Sequence, residues 1–188
     1  SPITIDNTGI VPIINKNPTS SVVYVHNNTD HEISNVTYDT LNNSESSNPP
    51  FIDPNSAISC QNIAAHGECP LGFTTPALSD YATQGSTIIT AHYKNNDTSK
   101  SFSQIINYEY VNSTTDTGVQ IIPGTKIAGF GNQTGYATIY AYGSGNQQDY
   151  TIKSISPSLN STKIINGNIV GSTLQSGFVQ AIELSSNI

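Results

Sequence analysis

Two cysteines, Cys60 and Cys69, bracket His66, and this is the first place in the chain where residue types suggest chemistry. A thiol beside an imidazole is the arrangement of a cysteine nucleophile. A zinc centre would need further ligands at workable spacing, which His66 alone does not supply. A disulfide needs only the two cysteines and an oxidising compartment. The disulfide asks least of the sequence and is the expected state of Cys60 and Cys69, with Gly67 expected to let the chain turn back. Closing so short a loop would stabilise the fold by about 2.5 kcal/mol on the loop-entropy account.

The other candidates are thinner. The four histidines are His26, His31, His66 and His92. His26 shares a strand face with Tyr24, and His92 shares one with Thr90 and Ile88. If those faces met, a two-histidine metal site would form, but scattered histidines at sheet edges and loops are the commoner case. Asp30 and Glu32 flank His31, a pattern that usually marks solvated turn residues rather than an acid–base pair. No Gly-x-Ser-x-Gly elbow is present. The Gly129-Phe130-Gly131 and Gly143-Ser144-Gly145 clusters precede no helical pattern, so neither reads as a phosphate cradle. The chain has no Arg, hence no bidentate clamp for carboxylate or phosphate. No catalytic, cofactor-binding or metal-ligating residues are assigned, and the chain is expected not to be an enzyme.

Tyrosine is the residue type with most to offer: there are ten, and no Trp. In Ala137–Tyr142, alternation puts Ala137, Ile139 and Ala141 on one face and Thr138, Tyr140 and Tyr142 on the other. With the aliphatic face inward, Tyr140 and Tyr142 stand outward as candidate ligand-binding rings for a sugar or a partner protein. With the tyrosine face inward, they are core. Both readings are open from sequence.

The elements that must position these residues are strands. Clusters of β-branched and aromatic residues recur at Ile3–Asp6, Ile10–Ile14, Ser21–Asn27, Glu32–Thr40, Cys69–Thr74, Ser86–Tyr93 and Ser103–Val111. A second series runs through Val119–Ile122, Lys126–Ala128, Ala137–Tyr142, Tyr150–Ser156, Thr162–Asn166 and Phe178–Leu184. Asn, Asp, Gly, Ser or Pro bound each cluster. No window keeps a helical apolar period, so little or no helix is expected. Short, evenly spaced strands with turn signals between them predict a sandwich.

An internal repeat refines this. Thr8–Ile14 resembles Thr117–Ile122, Val22–His26 resembles Thr138–Tyr142, and Glu32–Val36 resembles Thr151–Ile155. The period suits an immunoglobulin-like unit. The expectation is all-β: two tandem immunoglobulin-like β-sandwich modules, residues 1–113 with the Cys60–Cys69 disulfide and a shorter 114–188. The second series stops two strands early. It is expected to complete itself through Val119–Ile122 and Lys126–Ala128, with a truncated module and strand exchange with another chain as the alternatives.

Residues 60–76, Cys-Gln-Asn-Ile-Ala-Ala-His-Gly-Glu-Cys-Pro-Leu-Gly-Phe-Thr-Thr-Pro, resemble the cysteine hairpin of bacterial hydin-type (ASH-like) immunoglobulin domains. Ile63, Gly67, Cys69, Leu71, Phe73 and Pro76 fill that pattern, and Val22–Thr29 resembles the family's early strand running into an Asn-Thr turn. The likeness covers most of residues 20–93. It implies an immunoglobulin-like fold and an exported life, and no activity, because those domains share no catalytic residues.

Composition narrows the partners. Formal net charge is −7 and only 10% of residues are charged, so nucleic acid and anionic membrane surfaces are disfavoured. No apolar run approaches the ~20 residues that span a bilayer, so membrane insertion is not expected. The first residue is Ser, and any export signal is expected to have been removed. Seven Asn-x-Ser/Thr triplets (from Asn27 to Asn160) are uninformative in so Asn-rich a chain. The sequence reads as a non-catalytic adhesion or interaction module of a secreted or cell-surface bacterial protein, with the periplasm as a further compartment. It is expected to be a monomer that binds a protein or glycan. The alternative is a carbohydrate-binding module using Tyr140 and Tyr142.

Overall fold

The computed structural model of the chain describes residues 1–8, 10–14, 21–42, 50–74, 84–111, 118–121, 134–144, 150–154, 162–164, 170–171, 173–174 and 179–187. In chain order the elements are β1 (Ile3–Ile5), β2 (Asn7–Thr8), β3 (Ile10–Ile14), β4 (Ser21–Asn27), β5 (Thr37–Asn42), β6 (Phe51–Ile52), α1 (Pro54–Ser59), β7 (Glu68–Thr74), β8 (Gln84–Asn95) and β9 (Thr98–Val111). These are followed by β10 (Gly118–Ile121), β11 (Thr134–Ser144), β12 (Tyr150–Thr151), β13 (Thr162–Ile164), β14 (Thr173–Leu174) and β15 (Val179–Asn187). The chain is all-β, as alternation predicts.

Three sheets carry the fold. One runs β1-β4-β7-β6, antiparallel throughout. A second runs β3-β9-β8-β5, with β3 parallel to β9 and the rest antiparallel. Alternation places Ile3, Ile5, Val23, Val25, Leu71 and Phe73 of the first sheet in one buried cluster with Val11, Ile13, Ile89, Ala91, Ile106 and Tyr108 of the second. That is the sandwich core. The third sheet runs β10-β11-β15-β13, and its Tyr140 and Ala181 join the same cluster.

The first fourteen residues connect all three sheets. β1 pairs with β4, β2 lies parallel to β11 through Asn7 with Ala137 and Thr8 with Thr138, and β3 lies parallel to β9. The expected module boundary near residue 113 falls outside the described residues, as does Lys126–Ala128. β10 pairs with β11, and β2 pairs with the same edge of that strand. Ile3 and Ile5 pair with β4 of the same chain. β3 and β10, which the repeat aligns, have different partners: β3 is parallel to β9 and β10 antiparallel to β11.

Local signals account for the finer elements. The β8–β9 hairpin closes between Asn95 and Thr98 over Asn96 and Asp97, both at positive φ (49° and 62°). Asn and Asp tolerate that region, and the mirror-image turn matches strand twist. Among the described residues the one helix is α1, which the strand pattern does not foretell. Its signals were Asp53, whose side chain accepts from the Ser56 amide at 3.0 Å, and Pro54 in the first turn.

Cys60 ends that helix and bonds to Cys69 on β7, with 5.6 Å between their Cα atoms. The bridge forms as expected, although the turn between the cysteines differs in detail. The left-handed residue is His66 (φ 53°), not Gly67. Gly67 is needed for close approach: a Cβ there would lie 2.9 Å from the Ala64 carbonyl oxygen, too close for any side chain. Ile33 and Ile63 exchange backbone hydrogen bonds (3.0 and 2.9 Å) and pin this loop to the core. Cys60→Ser is expected to lower stability by about 2.5 kcal/mol and keep the fold, because Ile63, Leu71 and Phe73 remain buried. Urea unfolding of the oxidised wild type against the variant measures it.

Candidate functional site

β4 has two buried faces. Val23 and Val25 point into the sandwich core, while His26, on the opposite face, lies against the third sheet and is 5% exposed. A titratable side chain in that position must find partners, because desolvating a charge is costly. The fold brings them from distant parts of the sequence. Asp6, between β1 and β2, places Oδ1 2.5 Å from His26 Nε2. Glu183, on β15, places Oε1 3.1 Å from the same nitrogen. Glu68, on β7, places Oε2 3.9 Å from His26 Nδ1. Asp6 and Glu183 are 1% and 0% exposed, whereas the Glu68 side chain is 36% exposed.

Neighbours hold this group in place. The Tyr136 ring stacks on the imidazole, with centroids 3.9 Å apart and planes 15° from parallel. Thr138 Oγ1 donates to Asp6 Oδ2 at 2.6 Å. The Asp6 amide donates to the Tyr24 carbonyl at 2.9 Å. One imidazole N–H thus points between two carboxylates, with the other edge of the ring turned toward a third.

The electrostatics follow from burial and this excess of acid. Burial alone would lower the His26 pKa, but hydrogen bonds and charge from Asp6 and Glu183 prevail and raise it from 6.5 to about 9. Burial raises Asp6 against the opposing pull of His26. Burial, with the adjoining Glu183 carboxyl, raises Glu68 from 4.5 to about 7. Tyr136 is raised first by burial and then by the surrounding carboxylates. The centre retains protons and is closed to bulky substrates.

The residues read from sequence fare differently. His26 does not meet His92. His92 is on the open face of the second sheet, 2.7 Å from Asp39. His31 bonds to Asn95, and His66 to Asp30, both at the surface. Tyr140 corrects the expectation of an exposed ring: it is fully buried, and its hydroxyl donates to the Val22 carbonyl at 2.8 Å. The tyrosine face of β11 is the inward one because β4 packs against it there. The side chain of Tyr142 lies outside the described residues. Asp6, Glu68 and Glu183 were not picked out. Glu183 did leave a signal: it interrupts the apolar run Ala181-Ile182-Glu183-Leu184, and an acid at a core position implies a partner. Asp6 carried no comparable mark.

No protein-family model and no curated protein matches the chain. Among solved structures, a protein of unknown function from Porphyromonas gingivalis W83 aligns over 100% of this chain and 84% of its own, at 11% identity and a TM-score of 0.36. The YadV chaperone aligns over 96% of this chain and 100% of its own, at 10% identity and 0.41. The E. coli chaperone DraB aligns over 96% and 84%, at 10% identity and 0.39.

Two outcomes follow from the buried centre. His26, Glu68 and Asp6 all have raised pKa values, so each binds its proton more tightly folded than unfolded. Their contribution to stability is complete at the acid end, below the ordinary values, and is lost as pH rises through the folded ones. In buffer containing a chelator, melting temperature is expected to fall between about pH 5 and pH 9, by at least ~2–4 °C, the shift that about 1 kcal/mol produces in a chain of this size. Glu68→Gln should flatten the lower half of that slope. Separately, Tyr140→Phe removes the hydroxyl that meets Val22 and should cost about 1 kcal/mol in urea unfolding.

Proposed function

We propose that the chain is a non-catalytic interaction module of an exported protein, and that it engages a partner protein through the open face of the second sheet. The observation that carries this reading is a row of aliphatic side chains across three strands. Leu41 on β5 pairs with Ile88 on β8, which pairs with Ile105 on β9. Leu41 and Ile105 are 63% and 55% exposed. An aligned apolar row on a sheet surface is what a protein contact buries at its centre.

The surroundings of the row are polar, as the rim of such a contact would be. Thr90 and Ser103 share a hydrogen bond at 2.8 Å, and His92 meets Asp39. Beyond them a cleft of about 490 Å³ is lined by residues that include Ser34, Asn35, Thr37, His92, Lys94 and Lys100. Lys94 alternates with Ile88 and His92 on this face of β8, which favours a partner with an acidic group beside its apolar contact.

Export is supported by the Cys60–Cys69 bridge, since disulfides persist in oxidising compartments. The hydin-type resemblance of residues 20–93 and the two-module division point the same way and belong to this proposal. No helix among the described residues is long and apolar enough to cross a membrane. The absence of catalysis is supported by the closure of the Asp6–His26–Glu183 group, the best acid–base cluster among the described residues, to substrate. The carbohydrate reading loses Tyr140, which is buried.

Leu41→Ser with Ile105→Ser tests the proposal. Both positions are exposed, so stability should change by only about ±0.5 kcal/mol per site, while capture of protein partners from cell-surface extracts by the immobilised chain should fall at least tenfold. Capture unchanged by the double variant would overturn the docking face. A hydrolase or transferase activity abolished by one substitution in the chain would overturn the non-catalytic reading.

A further inference from the structure

The buried centre has a feature that a salt bridge does not require. Asp6 Oδ1, His26 Nε2 and Glu183 Oε1 arrive from three different elements and converge, and one donor atom from each residue lies within 4.8 Å of the others. His26 Nε2 is 2.5 Å from Asp6 Oδ1 and 3.1 Å from Glu183 Oε1, but an imidazole nitrogen carries at most one proton. We propose that Asp6, His26 and Glu183 form a structural metal centre for a divalent first-row cation, with Zn²⁺ the best match, joining the N-terminal segment and β4 to β15.

Donor chemistry selects the cation. One imidazole nitrogen with two carboxylate oxygens suits Zn²⁺, while Ca²⁺ and Mg²⁺ favour all-oxygen shells and Cu⁺ favours sulfur. Around a tetrahedral ion with ligands at about 2.0–2.2 Å, neighbouring donors lie roughly 3.3 Å apart. The His26–Glu183 separation already fits, and Asp6 would need to withdraw by less than ~1 Å. A neutral imidazole, two carboxylates and a divalent cation sum to zero charge, which a buried site favours.

The outer atoms of the ligands are occupied as in a preorganised site. Thr138 takes Asp6 Oδ2 and leaves Oδ1 facing the centre. Glu68 Oε2 lies 3.9 Å from His26 Nδ1, on the ring edge that would be turned away from the ion. Tyr136 fixes the plane of the ring. The Glu68 side chain is 36% exposed, so the Nδ1 edge of the ring lies toward the surface. The three ligands are closed to solvent and come from three separate elements, so an ion there would act as a cross-link between them.

The full chain, stripped with a chelator and dialysed, should bind one equivalent of Zn²⁺ with a dissociation constant below ~10 µM. A hundredfold excess over that constant should raise the melting temperature by ~5–10 °C. Asp6→Asn and Glu183→Gln should each weaken binding more than tenfold, and Glu68→Gln, an outer positioning change, by ~10-fold. His66→Ala and His92→Ala, at the surface, should leave it unchanged. Co²⁺ added to the wild-type chain should give a visible absorption band, which tests the site even if the ligand variants fail to fold. The proposal is overturned if the wild type shows neither saturable Zn²⁺ binding nor a Co²⁺ band. It is equally overturned if binding survives in folded Asp6→Asn and Glu183→Gln, or disappears in His66→Ala or His92→Ala.

Discussion

An imidazole buried among carboxyl groups constrains everything around it, because a desolvated charge that loses one partner is far more costly than one never buried. His26 can occupy the back of β4 only if Asp6 and Glu183 are both present. Asp6 reaches it only if the chain leaves β1 and crosses to β11, where the Thr138 hydroxyl donates to its second oxygen. Glu183 reaches it only if β15 lies in the register that pairs Thr138 with Glu183. A slip of one residue would turn Glu183 to the opposite face and leave His26 against an aliphatic side chain. The network thus selects a single arrangement of three sheets. Networks of this kind add little net stability and are better understood as specifying one structure over its neighbours.

A second, uncharged constraint acts at the other end of β4. Asn27 is 1% exposed, and its amide donates to the carbonyls of His31, Ile63 and Ala64 at 2.8–3.0 Å. Its oxygen accepts from the Thr29 amide and hydroxyl at 2.9 and 2.7 Å. One side chain therefore ties the turn after β4 to the loop closed by Cys60 and Cys69. Tyr38 adds to it, donating to the Cys60 carbonyl at 2.7 Å. The disulfide loop is ordered from both sides, and the bridge locks a conformation that hydrogen bonds already favour.

What could be read from sequence was what is local. Alternation located most of the long strands, and Ser21–Asn27 matched β4 to the residue. The disulfide followed from two cysteines with no better use. Short-range punctuation is legible too: Asp53-Pro54 marks a helix start that strand alternation does not show. The face of β11 was ambiguous because Tyr140 is as able to line a core as a binding surface. Only packing against β4 decides between the two. The buried centre was illegible for a different reason. Its members are single residues on separate strands, Asp6 and Thr138 lie 132 positions apart, and no spacing rule connects them. The row of Leu41, Ile88 and Ile105 was hidden in the same way, since it exists only once the register of β5, β8 and β9 is known.

The N-terminal segment also sets the order of events in assembly. Its partners are spread along the sequence: β1 pairs with β4, β3 with β9 and β2 with β11. Tyr140 and Val22, 118 positions apart, must likewise find each other late. Such distant pairing makes folding slow, because a long stretch of chain loses entropy before the contact is gained. Val11 and Ile13 on β3 therefore stay uncovered until β9 is in place. An unpaired β3 is an aggregation hazard in that interval, so folding depends on keeping this strand from pairing elsewhere until the β8–β9 hairpin has closed.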